Sequence, residues 1–282
     1  MDMPYPGKVM EFFVSPLGRD TWSGTLKEPS ADETDGPFAS IKGAQTRLRY
    51  LKTRPPQLAT PHTVGGIAGP IVVWLRGGRY PVQEPVVFGP EDSLPVTYAA
   101  YPGETPIIDG GVRITGWETT EVNGRTAWVA ALPEVAEGTW HFRQLFVDGK
   151  RRSRPRFPRE GLFRMADVPG MPLPAGWQGG GYTQFACADG DVAPYRNLSD
   201  IEVVYVHFWI EERSPIASFE AETNMVTMAR ESRTCLVGSH GSQLADYYLD
   251  NVFEAMTEPG DWYLDREKGD LYYLPLPGET PE

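Results

Sequence analysis

A mainly β fold is predicted by three features of the 282-residue sequence. Its 30 Gly and 27 Pro follow no collagen-like period and break the chain into short segments. Short apolar runs bounded by turn residues recur along it, and one stretch alone carries a clear helical repeat. Apolar residues at 40% and aromatics at 12% are enough for a real core.

The first element is an apolar strand within "EFFVSPLGRDTWSGT" (11–25), which runs into a Gly/Asp/Ser turn region. The helix follows in "FASIKGAQTRLRYLK" (38–52), where Ile41, Ala44, Leu48 and Leu51 recur at intervals of three and four and Ser40 is placed as the N-cap. One side of it should pack on a flat apolar surface. After a Pro-rich loop (53–70) come "IVVWLRGGRY" (71–80), "PVVFG" (85–89), "LPVTYAAYPGE" (94–104) and "PIIDGGVRITGW" (106–117), read as strands with no helix between them. They fit an antiparallel meander or successive sides of a parallel β-helix, and the 24-residue offset from Trp74 to Tyr98 is close to one solenoid coil.

Hairpin signals dominate beyond about residue 117. Asn123-Gly124 and Asp148-Gly149 suit type I′ turns, Glu222, Thr223 and Asn224 make another turn, and Gly269 closes "DWYLDREKGDLYY" in a left-handed conformation. "IEVVYVHFWI" (201–210) is apolar on both alternating faces, as befits a central strand covered on each side. Residues 118 to 274 therefore read as an antiparallel sandwich or barrel, interrupted by a Gly/Pro-rich loop (158–183).

The formal charge of −12 makes nucleic acid a poor partner and leaves neutral sugars, small molecules and proteins open. No run approaches the roughly 20 apolar residues of a membrane span. The N-terminus lacks the apolar core of a secretory signal, so the expectation is an intracellular protein or one whose leader has been removed. Cys187 and Cys235 are expected as two free, buried thiols.

Together, "FFVSPLGRDTWSGT…GPFASIKGAQ" and "IVVWLRGGRYPV…PVTYAAYPGETPIIDGG" resemble the cap and first coils of carbohydrate-active right-handed parallel β-helix proteins, the pectin-lyase-like fold. "FRQLFVDGKRRSRPRFP" (142–158) and "EPGDWYLDREKGDLYYLPLPGE" (258–279) resemble the insertion domain of glycoside hydrolase family 141 and its relatives. The resemblance implies a cap and first coils over 11–117, an inserted β-sandwich over 118–274, and a stub re-entering the β-helix over 275–282. It implies hydrolysis of plant cell-wall polysaccharide, fucosidase- or xylanase-like, by carboxylates on later coils. No catalytic residue maps onto this chain, which is read as an N-terminal fragment of such an enzyme. An exposed last coil would invite self-association.

Candidate saccharide contacts lie in two places. Lys150, Arg151, Arg152, Arg154 and Arg156 form the strongest local charge anomaly. Their guanidinium forks suit a sugar carboxylate or hydroxyls, although pairing with nearby acids is the first expectation. Trp177 and Tyr182, in "GWQGGGYTQF", could stack on sugar rings or fold back onto the core. Asp109, Asp265 and Glu267 are explained by turn chemistry. "GSHGS" (238–242) lacks the spacing of a nucleophile elbow, and "DGDVAPYRN" (189–197) lacks that of a calcium loop. His62, His141, His207 and His240 are scattered, so neither metal nor other cofactor is expected.

Two other classes stay open. A non-catalytic glycan-binding or structural module would show an exposed row of aromatics on one sandwich face. A polysaccharide-lyase-like enzyme would use a Lys, Arg or Tyr base, often with calcium, on acidic polysaccharide, and would need a basic groove, which the net charge disfavours.

Overall fold

Helix α1 (Ile41–Thr53) begins where the sequence places a cap: Ser40 is extended, and its hydroxyl accepts the Gly43 amide at 2.9 Å. The computed structural model describes residues 9–54, 70–176, 179–207, 209–238 and 241–281. They form two compact units, Met1–Arg113 and Ile114–Glu282. Both are mainly β.

In the first unit, β1 (Met10–Val14), β2 (Ile71–Leu75) and β4 (Val96–Ala100) make a parallel three-stranded sheet, and β3 (Gly78–Pro81) pairs in parallel with β5 (Pro106–Asp109). Ile41, Ala44, Leu48 and Leu51 join Phe12, Val14, Phe38, Ile71, Val73 and Tyr80 in one apolar cluster. The register corrects the 24-residue offset. Ile71 pairs with Val96 and Trp74 with Ala99, whereas Tyr98 faces Val73, so the strand-to-strand offset is 25 residues.

Arg76 and Glu104 tie the two corners that follow β2 and β4. The Arg76 guanidinium donates to both Glu104 oxygens at 2.9 Å, and the Gly77 amide donates to the same carboxylate at 2.6 Å.

The expected strand at 85–89 is absent. Gln45 and Arg49 of α1 capture the Val87 carbonyl at 2.8 and 3.2 Å, withdrawing it from any ladder. Arg49 also grips Asp92 through Nε and Nη2 at 2.7 and 2.6 Å. The polar edge of the helix thus fastens a loop where hydrophobicity suggested a strand.

The second unit contains β6 (Glu118–Val122), β7 (Arg125–Ala131), short helix α2 (Pro133–Ala136), β8 (Phe146–Val147), β9 (Lys150–Arg151), β10 (Arg156–Phe157), β11 (Phe163–Arg164) and β12 (Gln184–Ala186). It continues with β13 (Glu202–His207), β14 (Ile210–Glu220), β15 (Met225–Met228), β16 (Asp246–Asp250), β17 (Trp262–Asp265) and β18 (Asp270–Tyr273).

A seven-stranded antiparallel sheet runs β10-β16-β13-β14-β15-β12, with β11 also on β16. A four-stranded antiparallel sheet runs β17-β18-β7-β6. β13 lies between β14 and β16, the central position its apolar run predicts. Asn123, Gly124, Asp148, Gly149, Asn224 and Gly269 all have positive φ, so the turn residues sit where the hairpins need left-handed backbone.

Phe185, Val203, Tyr205, Ile216, Val226, Tyr247 and Leu249 form the core of the larger sheet. On the smaller sheet Trp262 and Leu264 join one cluster and Tyr263 another, the alternation a strand imposes. Cys187 and Cys235 are free and buried.

Candidate functional site

Residues 150–157 run extended from the β8–β9 hairpin to β16. The Arg152 amide donates to Leu145 O at 2.8 Å, Ser153 bridges to Asp261, and Arg156 pairs with Asp250 in the sheet. Alternation along this segment sends Arg152, Arg154 and Arg156 toward one side. They line a cleft of about 730 Å³ together with Arg143, Arg151, Arg159 and Arg213.

Most of this charge is balanced internally. Arg152 meets Glu279 at 2.5 Å and the Tyr273 hydroxyl at 2.8 Å. Burial would raise Glu279, but hydrogen bonds from Tyr273, the Leu276 amide and Arg152 hold it below the usual carboxylate range. Arg154 bridges Glu202 and Asp250, both at 3.1 Å. Arg143 reaches Glu202 at 2.7 Å, Arg213 reaches Asp250 at 2.7 Å and Glu211 at 2.9 Å, and Arg159 reaches Asp261 at 2.6 Å. Pairing with acids, the first expectation for the cluster, therefore describes Arg152 and Arg154.

Two arginines differ. Arg156 donates from Nε to Pro158 O at 2.9 Å and from Nη2 to Gly161 O at 2.5 Å, with its guanidinium carbon 3.9 Å from the Tyr248 ring centroid. It forms no ion pair among the described residues. Arg151 is exposed at the end of β9 and forms no ion pair among the described residues.

The remaining candidates lie elsewhere. Tyr182 is half-buried against the core of the larger sheet, with its amide on Ser232 Oγ at 2.9 Å. Trp177, His62, His240 and part of the "GSHGS" turn lie outside the described residues. Asp109 accepts the Gly111 amide at 2.9 Å and also binds Arg79, as a turn aspartate does. Asp265 is fully buried against Arg196, Asn197 and the Lys268 amide. Asp191 accepts the Tyr247 hydroxyl at 2.9 Å, and burial raises its pKa. No group of three or more His, Cys, Asp or Glu able to hold a metal occurs among the described residues.

The carboxylates that organise the cleft were missed in the sequence. Glu202, Asp250 and Asp261 stand at the edges of apolar strands, and an acid in such a run is the one signal that could have marked them.

No protein-family model and no curated protein matches the chain. A solved structure described as "Glycoside hydrolase" superposes with a TM-score of 0.70 over 96% of this chain and 44% of its own length, at 22% identity. The chain therefore shares the fold of a glycoside hydrolase and spans less than half of it. A second structure, titled "The complex structure of XylC with xylose", covers 94% of this chain and 32% of its own at 17% identity. Its TM-score is 0.31, too low to bear on the fold.

Proposed function

We propose that this chain is part of a carbohydrate-active protein, built as the cap and first coils of a right-handed parallel β-helix (11–117) with an antiparallel β-sandwich (118–274) inserted before the solenoid resumes. The observation that carries the reading is the superposition on a glycoside hydrolase over 96% of the chain. The parallel pairing of β1 with β2, of β2 with β4 at an offset of 25 residues, and of β3 with β5 supports it, since stacked coils pair in this way. The whole protein is read as a family-141-like hydrolase of plant polysaccharide, fucosidase- or xylanase-like. Here the chain contributes saccharide recognition rather than bond cleavage.

The cleft supports that division. A glycosidase needs two carboxyl groups about 5–9.5 Å apart on either side of the scissile bond. Asp250 and Asp261 instead spend an oxygen each on guanidinium groups. The arginines do supply the basic groove that a lyase needs and that the net charge had argued against. Burial raises Tyr248, the tyrosine of that lining, above the ordinary phenol, which disfavours it as the base of such an enzyme.

Affinity electrophoresis through gels containing xyloglucan, arabinoxylan or polygalacturonan tests the reading. Retardation in at least one gel is expected, and free mobility in all of them contradicts it. Fucosyl and xylosyl aryl glycosides should be cleaved by a longer form and left intact by these 282 residues.

A further inference from the structure

We infer that the arginine cleft binds an oligosaccharide through the carboxylates of its uronic-acid residues, Arg156 taking one and Arg151, farther along the cleft, taking another. The inference rests on the carbohydrate-active reading and adds the class of ligand and the residues that recognise it.

Charge balance is the first ground. Seven guanidinium groups line the cleft. Five of them meet the carboxylates of Glu202, Glu211, Asp250, Asp261 and Glu279. Arg151 and Arg156 are left without a counter-ion among the described residues. In a chain of net charge −12, this is positive potential concentrated in one concave place.

Preorganisation is the second. The Arg156 guanidinium is clamped on one face by Tyr248 and along one edge by two carbonyls. Two of its five N–H groups are used, so three remain in a fixed fork. A fork held in place forfeits little entropy on binding a planar carboxylate.

The third ground is the lining. Among the described residues no aliphatic side chain lines it, and its aromatic, Tyr248, has a face covered by Arg156. Pockets of about 300–1,000 Å³ usually hold small molecules against apolar walls. This cleft offers Gln144, Ser153 and guanidinium donors instead, which match a ligand covered in hydroxyl groups.

Isothermal titration of the whole chain with tri-galacturonate, its methyl ester, xylotriose, a sulfated trisaccharide and a hexaglutamate peptide tests this. Tri-galacturonate should bind, and its methyl ester should bind at least about tenfold more weakly, because the charge-assisted bonds are lost. Arg151→Ala, at an exposed position, and Arg156→Lys, which keeps the charge but not the fork, should each weaken tri-galacturonate about fivefold or more. Equal affinity for acid and ester overturns the inference, as does unchanged affinity in both variants. Equal binding of the sulfated sugar overturns the assignment to a carboxylate, and tighter binding of hexaglutamate overturns the assignment to a saccharide. If xylotriose binds and tri-galacturonate does not, this inference fails while the carbohydrate reading stands. If neither sugar binds and no gel retards the chain, both fail.

Discussion

Arg156 rests its guanidinium on the ring of Tyr248, 3.9 Å from the centroid, and Arg213 donates to that tyrosine's hydroxyl at 3.2 Å. One aromatic side chain thus positions two cleft arginines. Tyr248→Phe keeps the ring and should leave the Arg156 geometry intact. Tyr248→Leu removes the cation–π contact, worth about 0.5–2 kcal/mol. Urea unfolding of both variants checks this: the phenylalanine form should be the more stable, and equal midpoints would remove the positioning role.

Arg154→Ala should destabilise the second unit by about 1.5–3 kcal/mol, the range for hydrogen bonds to charged groups. The cost stays below that of a wholly orphaned buried pair, because Glu202 retains Arg143 and Asp250 retains Arg213. Arg151→Ala should change stability by under about 0.5 kcal/mol, as exposed substitutions do. Denaturant midpoints that rank the two in the opposite order would contradict the ion-pair assignment.

Gly43 lies inside α1, where alanine would ordinarily gain about 1 kcal/mol. A Cβ there would come within 2.1 Å of Asp20 Oδ1 and 2.4 Å of its Cγ. That carboxylate accepts the Ala39 and Ser40 amides at 2.9 Å and the Ser40 hydroxyl at 2.7 Å, holding the cap in place. Gly43→Ala should therefore destabilise, by about the 1–2 kcal/mol of a lost cap. Thermal melting decides it, and a stabilised variant would show that Asp20 can move aside freely.

The helix, the hairpin turns and the central strand were legible because each rests on local chemistry: Ser40 before an i, i+3, i+4 repeat, Asn-Gly and Asp-Gly pairs, and an unbroken apolar run. The grip of Gln45 and Arg49 on Val87 was not, since it joins residues some forty positions apart. The cleft was half legible. Four of its arginines stand together in "KRRSRPR", but Arg143, Arg159 and Arg213 and their acid partners come from separate elements. A net charge sums over the whole surface and conceals a cleft of the opposite sign.

Asp92 supplies an acid-stability prediction. Hydrogen bonds from Arg49, with those from the Gly89 amide and Gln45, hold its carboxyl down at about 2. A carboxylate depressed in the folded state stabilises it above the unfolded pKa, and that contribution is lost as pH falls through the folded value. The window lies between about 4 and about 2. Asp92→Asn should flatten the loss of thermal stability across it, whereas parallel curves for the two proteins would refute the contribution.

Ile107 and Ile108 on β5 are 47% and 59% exposed, and among the described residues β5 pairs with β3 alone. On the stacked-coil reading this edge invites self-association. Ile108→Lys should lower the apparent mass in concentration-dependent sedimentation, and an unchanged profile would argue against association through it.

Carbohydrate recognition by this chain can be checked in one measurement. A glycan array of plant cell-wall oligosaccharides, probed with the 282-residue chain and with Arg156→Ala, tests it most directly. Uronate-bearing oligosaccharides should be bound, and their signal should fall sharply in the variant. Absence of signal on every glycan, with both proteins folded, would contradict it.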